Sequence, residues 1–231
     1  MGTKWATVMT QYTSINDERL AEEARTTPAL YFASMAGYMK IAIPGFTNPP
    51  GMQDYLACAA ARMAVEDYIS PEESSGETVI ARGKLGYDIC SAAIVGEDDM
   101  GNPVFTPTDV IYDGEAGTVT YSGDIAEGEQ ISMYFYADGE FENELTPEIM
   151  RILGLGIQLA WESRYIADWL NRTPKVQDKT FALPNGANQE RADTERIRML
   201  REQFIDEMRR FEENLAYRNF MPKSDKAFLK P

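Results

Sequence analysis

The residues most suited to chemistry in this chain are carboxylates that lie close together in glycine-rich segments. Residues 96–102, with the sequence GEDDMGN, bring Glu97, Asp98, Asp99 and Asn102 near one another. Carboxylate and amide oxygens are the ligands that Ca²⁺ takes in proteins. The segment lacks the D-x-[DN]-x-[DN]-G spacing and the distal glutamate of an EF-hand loop. Its glycine, aspartate and asparagine content is typical of a hairpin turn, which we predict here in preference to an ion site.

Two pairs of acids, Asp113 with Glu115 and Glu127 with Glu129, suggest the paired carboxylates of a glycoside hydrolase. Such an enzyme needs one carboxyl group in an apolar pocket that raises its pKa, and a second carboxyl group at a defined separation. Each of these four acids instead neighbours a glycine in an apparent loop. We therefore expect turns here, and a chain that is not an enzyme.

Several other kinds of site lack the residues that they require. The chain contains no histidine, which excludes Ser-His-Asp and Cys-His catalysis and the usual histidine-containing zinc sites. Its two cysteines, Cys58 and Cys90, are too few for a disulfide scaffold or an all-cysteine metal site. Both lie among small and apolar residues, which is typical of buried, reduced thiols. We expect no metal and no cofactor.

Composition sets the class of protein. The 231 residues include 37 acidic and 22 basic side chains, which gives a net charge of −15, and 44% are hydrophobic. This apolar content suffices for a sizeable core in one large or two small domains. The acidic balance argues against wrapping a phosphate backbone. No membrane-length apolar run and no secretory pattern occurs, so we predict a soluble chain that is intracellular at synthesis and binds no membrane.

Hydrophobic periodicity predicts an α+β fold, a helical bundle with a long C-terminal helical hairpin and an inserted antiparallel β-sandwich or barrel module. The predicted parts are an N-terminal helical segment over residues 1–72, an acidic β module over 73–143, the hairpin over 144–219 and an extended C-terminal tail over 220–231.

Helix signals in the first part begin with Ser14 and Asp17, which resemble a capping box at the start of a helix. The stretch after Pro28 is apolar on nearly every side, as in a helix that is buried or covered by a partner. After the break at 48–51, the alanine-rich residues 52–69 predict another helix that ends before Pro71.

The C-terminal helices have clearer boundaries. Thr146 is a natural N-cap and Pro147 suits the first helical position, which predicts a helix that runs to Asn171. A final helix over about 189–218 carries one apolar stripe, formed by Ile197, Leu200, Phe204, Met208, Phe211 and Leu215. We expect this stripe to pack against the preceding helix.

Short runs of β-branched and aromatic residues between glycine-rich breaks predict strands in the middle of the chain, at 79–81, 84–90, 104–105, 110–112, 118–122 and 130–136. Both faces of residues 132–139 carry large side chains, which indicates a strand buried on both sides or covered by a neighbouring subunit.

The acidic and basic residues are divided unevenly between the predicted β module and the C-terminal helices. Residues 66–142 hold 18 acids and only two bases, Arg82 and Lys84, whereas residues 144–231 are nearly neutral. This asymmetry suggests oriented assembly, repulsion from a polyanion, or simply a solvated face.

The segments DGEAGTVTYS (113–122) and EGEQISMYFY (127–136) resemble a strand–turn–strand phrase of tailed-bacteriophage virion proteins. The order of helices, β insertion, long helical hairpin and extended tail also resembles that of neck proteins, the head–tail connectors or adaptors that join the portal to the tail. The resemblance implies a structural protein of the virion neck, assembled in the host cytoplasm. It implies a homo-oligomeric ring, commonly a dodecamer, that contacts the portal and the tail or neck proteins. Genomic DNA would pass through the ring without sequence-specific binding.

The resemblance also implies that the C-terminal tail docks on a neighbouring ring component. The partner-binding residues are then the two aromatics Phe220 and Phe228 and the cations Lys223, Lys226 and Lys230. Two other hypotheses stay open. The chain could be a tail or baseplate adhesin whose β module binds a host surface through Tyr121, Tyr134 and Tyr136, or an enzyme that uses pairs of acids.

Overall fold

The computed structural model describes residues 2–15, 17–69, 77–81, 86–122, 128–172 and 186–220. These residues form a mixed α+β structure with antiparallel sheets. The helices in these ranges are α1 (Trp5–Gln11), α2 (Glu18–Thr26), α3 (Pro28–Gly45), α4 (Met52–Tyr55), α5 (Pro147–Arg172) and α6 (Gly186–Phe220). The strands are β1 (Cys58–Ala59), β2 (Arg62–Ile69), β3 (Glu77–Ala81), β4 (Ile89–Glu97), β5 (Pro103–Thr108), β6 (Ile111–Asp113), β7 (Thr118–Ser122), β8 (Gln130–Ala137) and β9 (Glu140–Phe141).

Strand β8 is the centre of the β structure. It pairs with β2 on one side and with β4 on the other, in a four-stranded sheet of order β2-β8-β4-β5. A three-stranded sheet has the order β3-β7-β6, and β1 pairs with β9. All of these pairings are antiparallel.

One face of the four-stranded sheet is covered by the three-stranded sheet. Met133 and Phe135 of β8 are buried in one cluster with Val119 of β7. The rings of Tyr87 and Tyr112 meet Phe135 edge-on, with centroid distances of 6.1 Å and 5.7 Å. Alternate residues of β8 thus bury an aromatic and aliphatic core between two sheets.

The other face of the sheet lies under helix α3. The backbone N–H of Ala29 donates to Ser91 Oγ on β4 at 2.9 Å, and Phe32 stacks on Tyr136 of β8 with a centroid distance of 5.6 Å. Both faces of β8 are therefore buried, as the aromatic alternation of residues 132–139 predicted. Helix α3 also packs on α5, but Gly37 and Ile41 are exposed, so the helix is buried on part of its surface only.

Helices α5 and α6 pack on one another in opposite directions. Arg151 of α5 contacts Glu207 of α6 at 2.5 Å, whereas Glu162, later in α5, pairs with Arg196, earlier in α6. Thr146 accepts a hydrogen bond from the N–H of Ile149, which confirms the predicted N-cap. On α6, Phe204, Met208 and Phe211 are buried in the same core as residues of α5, as the stripe predicted.

The predicted helix over 52–69 is wrong. Only α4 is helical there, and it is followed by β1 and by the eight-residue strand β2. The burial of β2 has period two, since Ala64 and Tyr68 are half-buried and Val65 and Ile69 are exposed. Pairing along the whole length of β8 supplies backbone hydrogen bonds and side-chain contacts that outweigh the helix propensity of the alanines.

Smaller differences concern element boundaries and pairing. Asp17, not Ser14, caps α2, and its carboxylate accepts from the N–H of Arg19 at 2.8 Å. Residues 86–88 are not in a strand, and residues 82–85 lie outside the described residues. Strands β7 and β8, adjacent in the chain, belong to different sheets. Helix α6 continues through Phe220, two residues beyond its predicted end.

Candidate assembly surfaces

The acidic segment Glu97–Asn102 forms the hairpin turn between β4 and β5, as predicted. Asp98 Oδ1 accepts from the N–H groups of Met100 and Asn102, both at 2.8 Å, and Asp98 Oδ2 accepts from Asn102 Nδ2 at 2.9 Å. These hydrogen bonds, first among them that from the Asn102 side chain, hold the pKa of Asp98 below its ordinary value. The carboxylate is thus already engaged by the donors of its own turn.

The first pair of candidate catalytic acids also serves a turn. Asp113 Oδ1 accepts from the N–H groups of Glu115 and Ala116, both at 2.9 Å, in the connection from β6 to β7. Asp113 and Glu115 are exposed, so neither lies in the apolar pocket that a general acid needs. Of the second pair, Glu127 lies outside the described residues, and Glu129 is half-buried just before β8.

The two cysteines are free thiols at half-buried positions in the sheets. Burial raises the pKa of Cys58, and it raises the pKa of Cys90 to about 12. A thiol is nucleophilic only as the thiolate, so burial leaves both groups poorly reactive. Both cysteines are half-buried rather than fully buried, and their reduced state stays a prediction.

A polar network joins helix α1 to the end of β8. The Asp138 carboxylate accepts from the N–H of Ala6, at 3.1 Å and 3.2 Å to its two oxygens, and from the Tyr136 hydroxyl at 3.0 Å. Asp88 in turn accepts from the N–H of Asp138 at 2.7 Å and lies 3.5 Å from Lys4 Nζ. Sequence reasoning missed this site because its members come from three distant segments.

Replacing Asp138 by alanine should destabilise the fold by about 1–3 kcal/mol, because the Ala6 N–H and the Tyr136 hydroxyl lose their acceptor in a largely buried place. Urea unfolding of the variant and of wild type measures this loss. The exposed Asp54 provides the matched control, since Asp54→Ala should change the unfolding free energy by less than about 0.5 kcal/mol. Equal stability of both variants and wild type would show that the network contributes nothing.

Burial raises the pKa of the Asp138 carboxyl, although hydrogen bonds from Ala6 and Tyr136 oppose that effect. A carboxyl with a higher pKa in the folded state binds its proton more tightly there. Its contribution to stability is therefore fully present below the unfolded pKa and is lost as pH rises through the folded pKa. Unfolding measured against pH should show this loss in wild type and not in the uncharged variant Asp138→Asn.

Large apolar side chains are exposed on the helical part of the protein. Ile41 of α3, Tyr165 of α5, and Met199 and Ile205 of α6 are each at least half exposed. Met199 and Ile205 lie outside the apolar stripe of α6 that faces the core. Apolar residues at positions that helical periodicity assigns to solvent are the sequence signal that would have identified this surface.

The sheet carries a second exposed apolar area, on the face that α3 covers only in part. Ile69 of β2 aligns with Gln130, Val95 and Phe105 in a row across all four strands. Ile69 and Phe105 are at least half exposed. Val65, four residues before Ile69 on the same face of β2, is also at least half exposed. Because β2 and β5 are the two edge strands, the exposed side chains of this row lie at both edges of the sheet.

An apolar groove lies where α4, α5 and α6 meet. Its volume is about 350 Å³, within the range of ligand pockets. Three distant segments line it, with Pro49, Pro50, Met52 and Tyr55 from the loop and α4, Thr146 and Ile149 from the start of α5, and Phe211 and Leu215 from α6. We call this the α4–α5–α6 groove.

The predicted partner-binding tail lies mostly outside the described residues. Phe220 is the last residue of α6, so it is helical rather than extended, and nothing is described of its side chain. Phe228, Lys223, Lys226 and Lys230 fall within 221–231, beyond the described ranges.

The aromatic residues proposed for an adhesin surface are not exposed together. Tyr136 is buried under Phe32, and Tyr134 is half-buried against the same core. The side chain of Tyr121 lies outside the described part of the structure. A glycan therefore has no access to Tyr136 on this face.

Comparisons of the chain with protein-family models, with curated proteins and with solved structures give no match. Within the described ranges, no three His, Cys, Asp or Glu side chains converge where they could hold a metal ion. None of the helices in the described part is long and apolar enough to cross a membrane.

Proposed function

We propose that this chain is a structural protein of the virion neck of a tailed bacteriophage, where it forms an oligomeric ring that joins the portal to the tail. The observation that carries the proposal is the exposure of large apolar side chains on the helices, at Ile41, Tyr165, Met199 and Ile205. Apolar areas exposed on a single chain commonly mark protein–protein contacts. A ring in which each subunit touches two neighbours would cover them.

The charge distribution supports a channel for DNA. Residues 66–142 have a net charge of −16, and the carboxylates of Glu97, Asp99, Asp109 and Glu115 are exposed in that segment. A wall of like charge repels the phosphate backbone, which lets DNA pass without being retained. In this proposal the ring is a homo-oligomer, a dodecamer by the resemblance, and DNA passes through it without sequence-specific binding.

The helical part supports the finer architecture of the proposal, a bundle with a long antiparallel hairpin. Helix α6 has 35 residues, which corresponds to a length of roughly 52 Å at the α-helical rise. Its ion pairs and hydrogen bonds to α5 extend from Glu162 with Arg196 to Glu148 with Asn214. A rod of this length offers each neighbour in a ring an extended surface.

Replacing Ile205 by aspartate should abolish assembly without unfolding the subunit. The side chain is half exposed, so an aspartate there remains solvated in the monomer but would be buried without a partner in a subunit contact. Size-exclusion chromatography with light scattering should give a closed multiple of 26.0 kDa for wild type and a monomer for Ile205→Asp.

The matched control is Ala60→Asp, which adds the same charge at an exposed position between β1 and β2. It should assemble as wild type does. The proposal is wrong if the wild-type chain stays monomeric at every concentration and also fails to bind a portal ring. A particle-incorporation assay with Ile205→Asp tests the position in the virion.

A further inference from the structure

We infer that the C-terminal residues 221–231 of one subunit bind in the α4–α5–α6 groove of a neighbouring subunit. This inference rests on the proposed assembly and names the contact by which the tail would take part in it. The groove has an apolar floor, formed by Met52, Ile149 and Phe211, each of which is nearly buried. Its walls include the more exposed Pro50 and Tyr55.

The groove is built before any ligand enters it. The Tyr55 hydroxyl donates to the carbonyl oxygen of Glu144 at 3.0 Å, and Asn143 Nδ2 donates to the carbonyl oxygen of Tyr55 at 2.8 Å. Gln53 Nε2 donates to the carbonyl oxygens of Ile43 and Phe46, at 2.9 Å and 2.8 Å. These bonds hold α4 to α3 and to the residues before α5. Because the site is already ordered, ligand binding loses little free energy to ordering it.

Acidic residues are next in sequence to several residues of the groove. The residues that line the groove in the described structure carry no charged side chain. Their neighbours in the chain include Asp54, Glu148 and Glu212. Glu148 accepts a hydrogen bond from Asn214 at 3.3 Å, which keeps its carboxylate beside the Leu215 wall. The adjacent base Arg210 lies near Glu207, at 3.7 Å, and so is partly neutralised. An apolar groove with an acidic rim suits an apolar peptide with cationic residues.

The C-terminal segment has that composition. Its sequence, MPKSDKAFLKP, places the apolar pair Phe228 and Leu229 between Lys226 and Lys230, and contains three lysines against one aspartate. In such contacts an aromatic side chain buried in a pocket usually supplies most of the binding energy, and charged residues lie around its edge. The lysines would then lie near the acidic rim while Phe228 fills the floor.

The length of the chain beyond α6 lets it reach a groove on another subunit. Leu215 lines the groove, and α6 continues for five more residues to Phe220, which is roughly 7.5 Å farther along the helix axis. The eight residues from Phe220 to Phe228 can span up to about 28 Å when extended. The segment is therefore long enough to reach an adjacent subunit, and the crosslinking test distinguishes that groove from the groove of the same chain.

Disulfide trapping in the full chain tests the contact. One protein carries Pro50→Cys at the exposed wall of the groove, and a second carries Ala227→Cys beside Phe228. The two are mixed and treated with a mild thiol oxidant. We expect a covalent dimer in at least tenfold greater yield than when Met100→Cys, on the turn between β4 and β5, replaces Pro50→Cys. Burial raises the pKa of the native thiols Cys58 and Cys90, and the control pair measures any crosslinking that they give.

Adding Phe228→Ser to the Ala227→Cys chain should lower the yield of covalent dimer at least tenfold, because the anchor is lost while the thiol remains. Equal yields from the groove and control pairs would overturn the inference. A double variant, Pro50→Cys with Ala227→Cys, that crosslinks only within one chain would also overturn it, since the tail would then cap its own groove. Rings that form by light scattering but give no groove crosslink would leave the proposed function standing and refute the tail contact alone.

Discussion

Replacing Phe204 by aspartate should cost at least about 4 kcal/mol of unfolding free energy, since losing a buried phenyl ring alone costs about 3–5 kcal/mol. The side chain is 6% exposed, and its ring lies against Gly45 of α3 and Gly156 of α5. The variant also buries a carboxylate without a partner, which adds to the loss. Because single domains are stable by about 5–15 kcal/mol, this one change removes much of the total. Urea unfolding at neutral pH gives the measurement.

The adjacent residue supplies the control for this experiment. Ile205→Asp introduces the same side chain one position along α6, where half of the side chain is exposed, and should unfold close to wild type. The pair separates two roles of one helix, since Phe204 holds the subunit together and Ile205 faces its proposed neighbour. If Phe204→Asp has the same unfolding free energy as wild type, α6 does not pack on α3 and α5 as described.

Replacing Gly154 by alanine should destabilise the protein by a net ~2 kcal/mol. Overpacking costs about 1–3 kcal/mol or more. The higher helix propensity of alanine offsets up to about 1 kcal/mol of that loss. A Cβ at this position of α5 would lie 2.1 Å from the carbonyl oxygen of Tyr12, at the end of α1. That atom belongs to the backbone, so either helix must shift. Thermal and urea unfolding both measure the change.

The opposite sign is expected at Gly37, an exposed position of α3 where a Cβ would meet no atom within 4 Å. There alanine should stabilise the protein by about 0.5–1 kcal/mol through helix propensity. Stabilisation by both substitutions would mean that α1 and α5 are farther apart than in this structure.

Short sequence patterns predicted the elements that are stabilised by contacts within one stretch of the chain. The Thr146–Pro147 pair marks the start of α5 because a side-chain oxygen and a missing N–H act within one turn of helix. The stripe of α6 predicted which side chains are buried because helical geometry alone places them on one face. Strand β2 was missed because Ala64 and its alanine-rich surroundings favour helix, and only the distant β8 makes it a strand.

The candidate surfaces depend still more on distant parts of the chain. The groove is assembled from residues near positions 50, 147 and 213, so no window of sequence contains it. The tail residues proposed as its ligand were instead predicted from a family resemblance and from their composition, because aromatic and lysine residues in one short segment suggest docking. Neither signal predicts where such a segment would bind, so the groove was found only in the fold.

The anchoring of α1 has a consequence for how the protein is made. The N–H of Trp5 donates to the carbonyl oxygen of Gly139 at 2.8 Å, and Thr3 Oγ accepts from the N–H of Leu145 at 2.8 Å. During translation, Thr3 and Trp5 must therefore wait until residue 145 has left the ribosome before all of these contacts can form. Trp5, buried in the finished core, stays exposed for that interval. Nascent chains with late-closing contacts fold slowly and expose apolar surface, so we expect the N-terminal segment to be the main site of chaperone binding during synthesis.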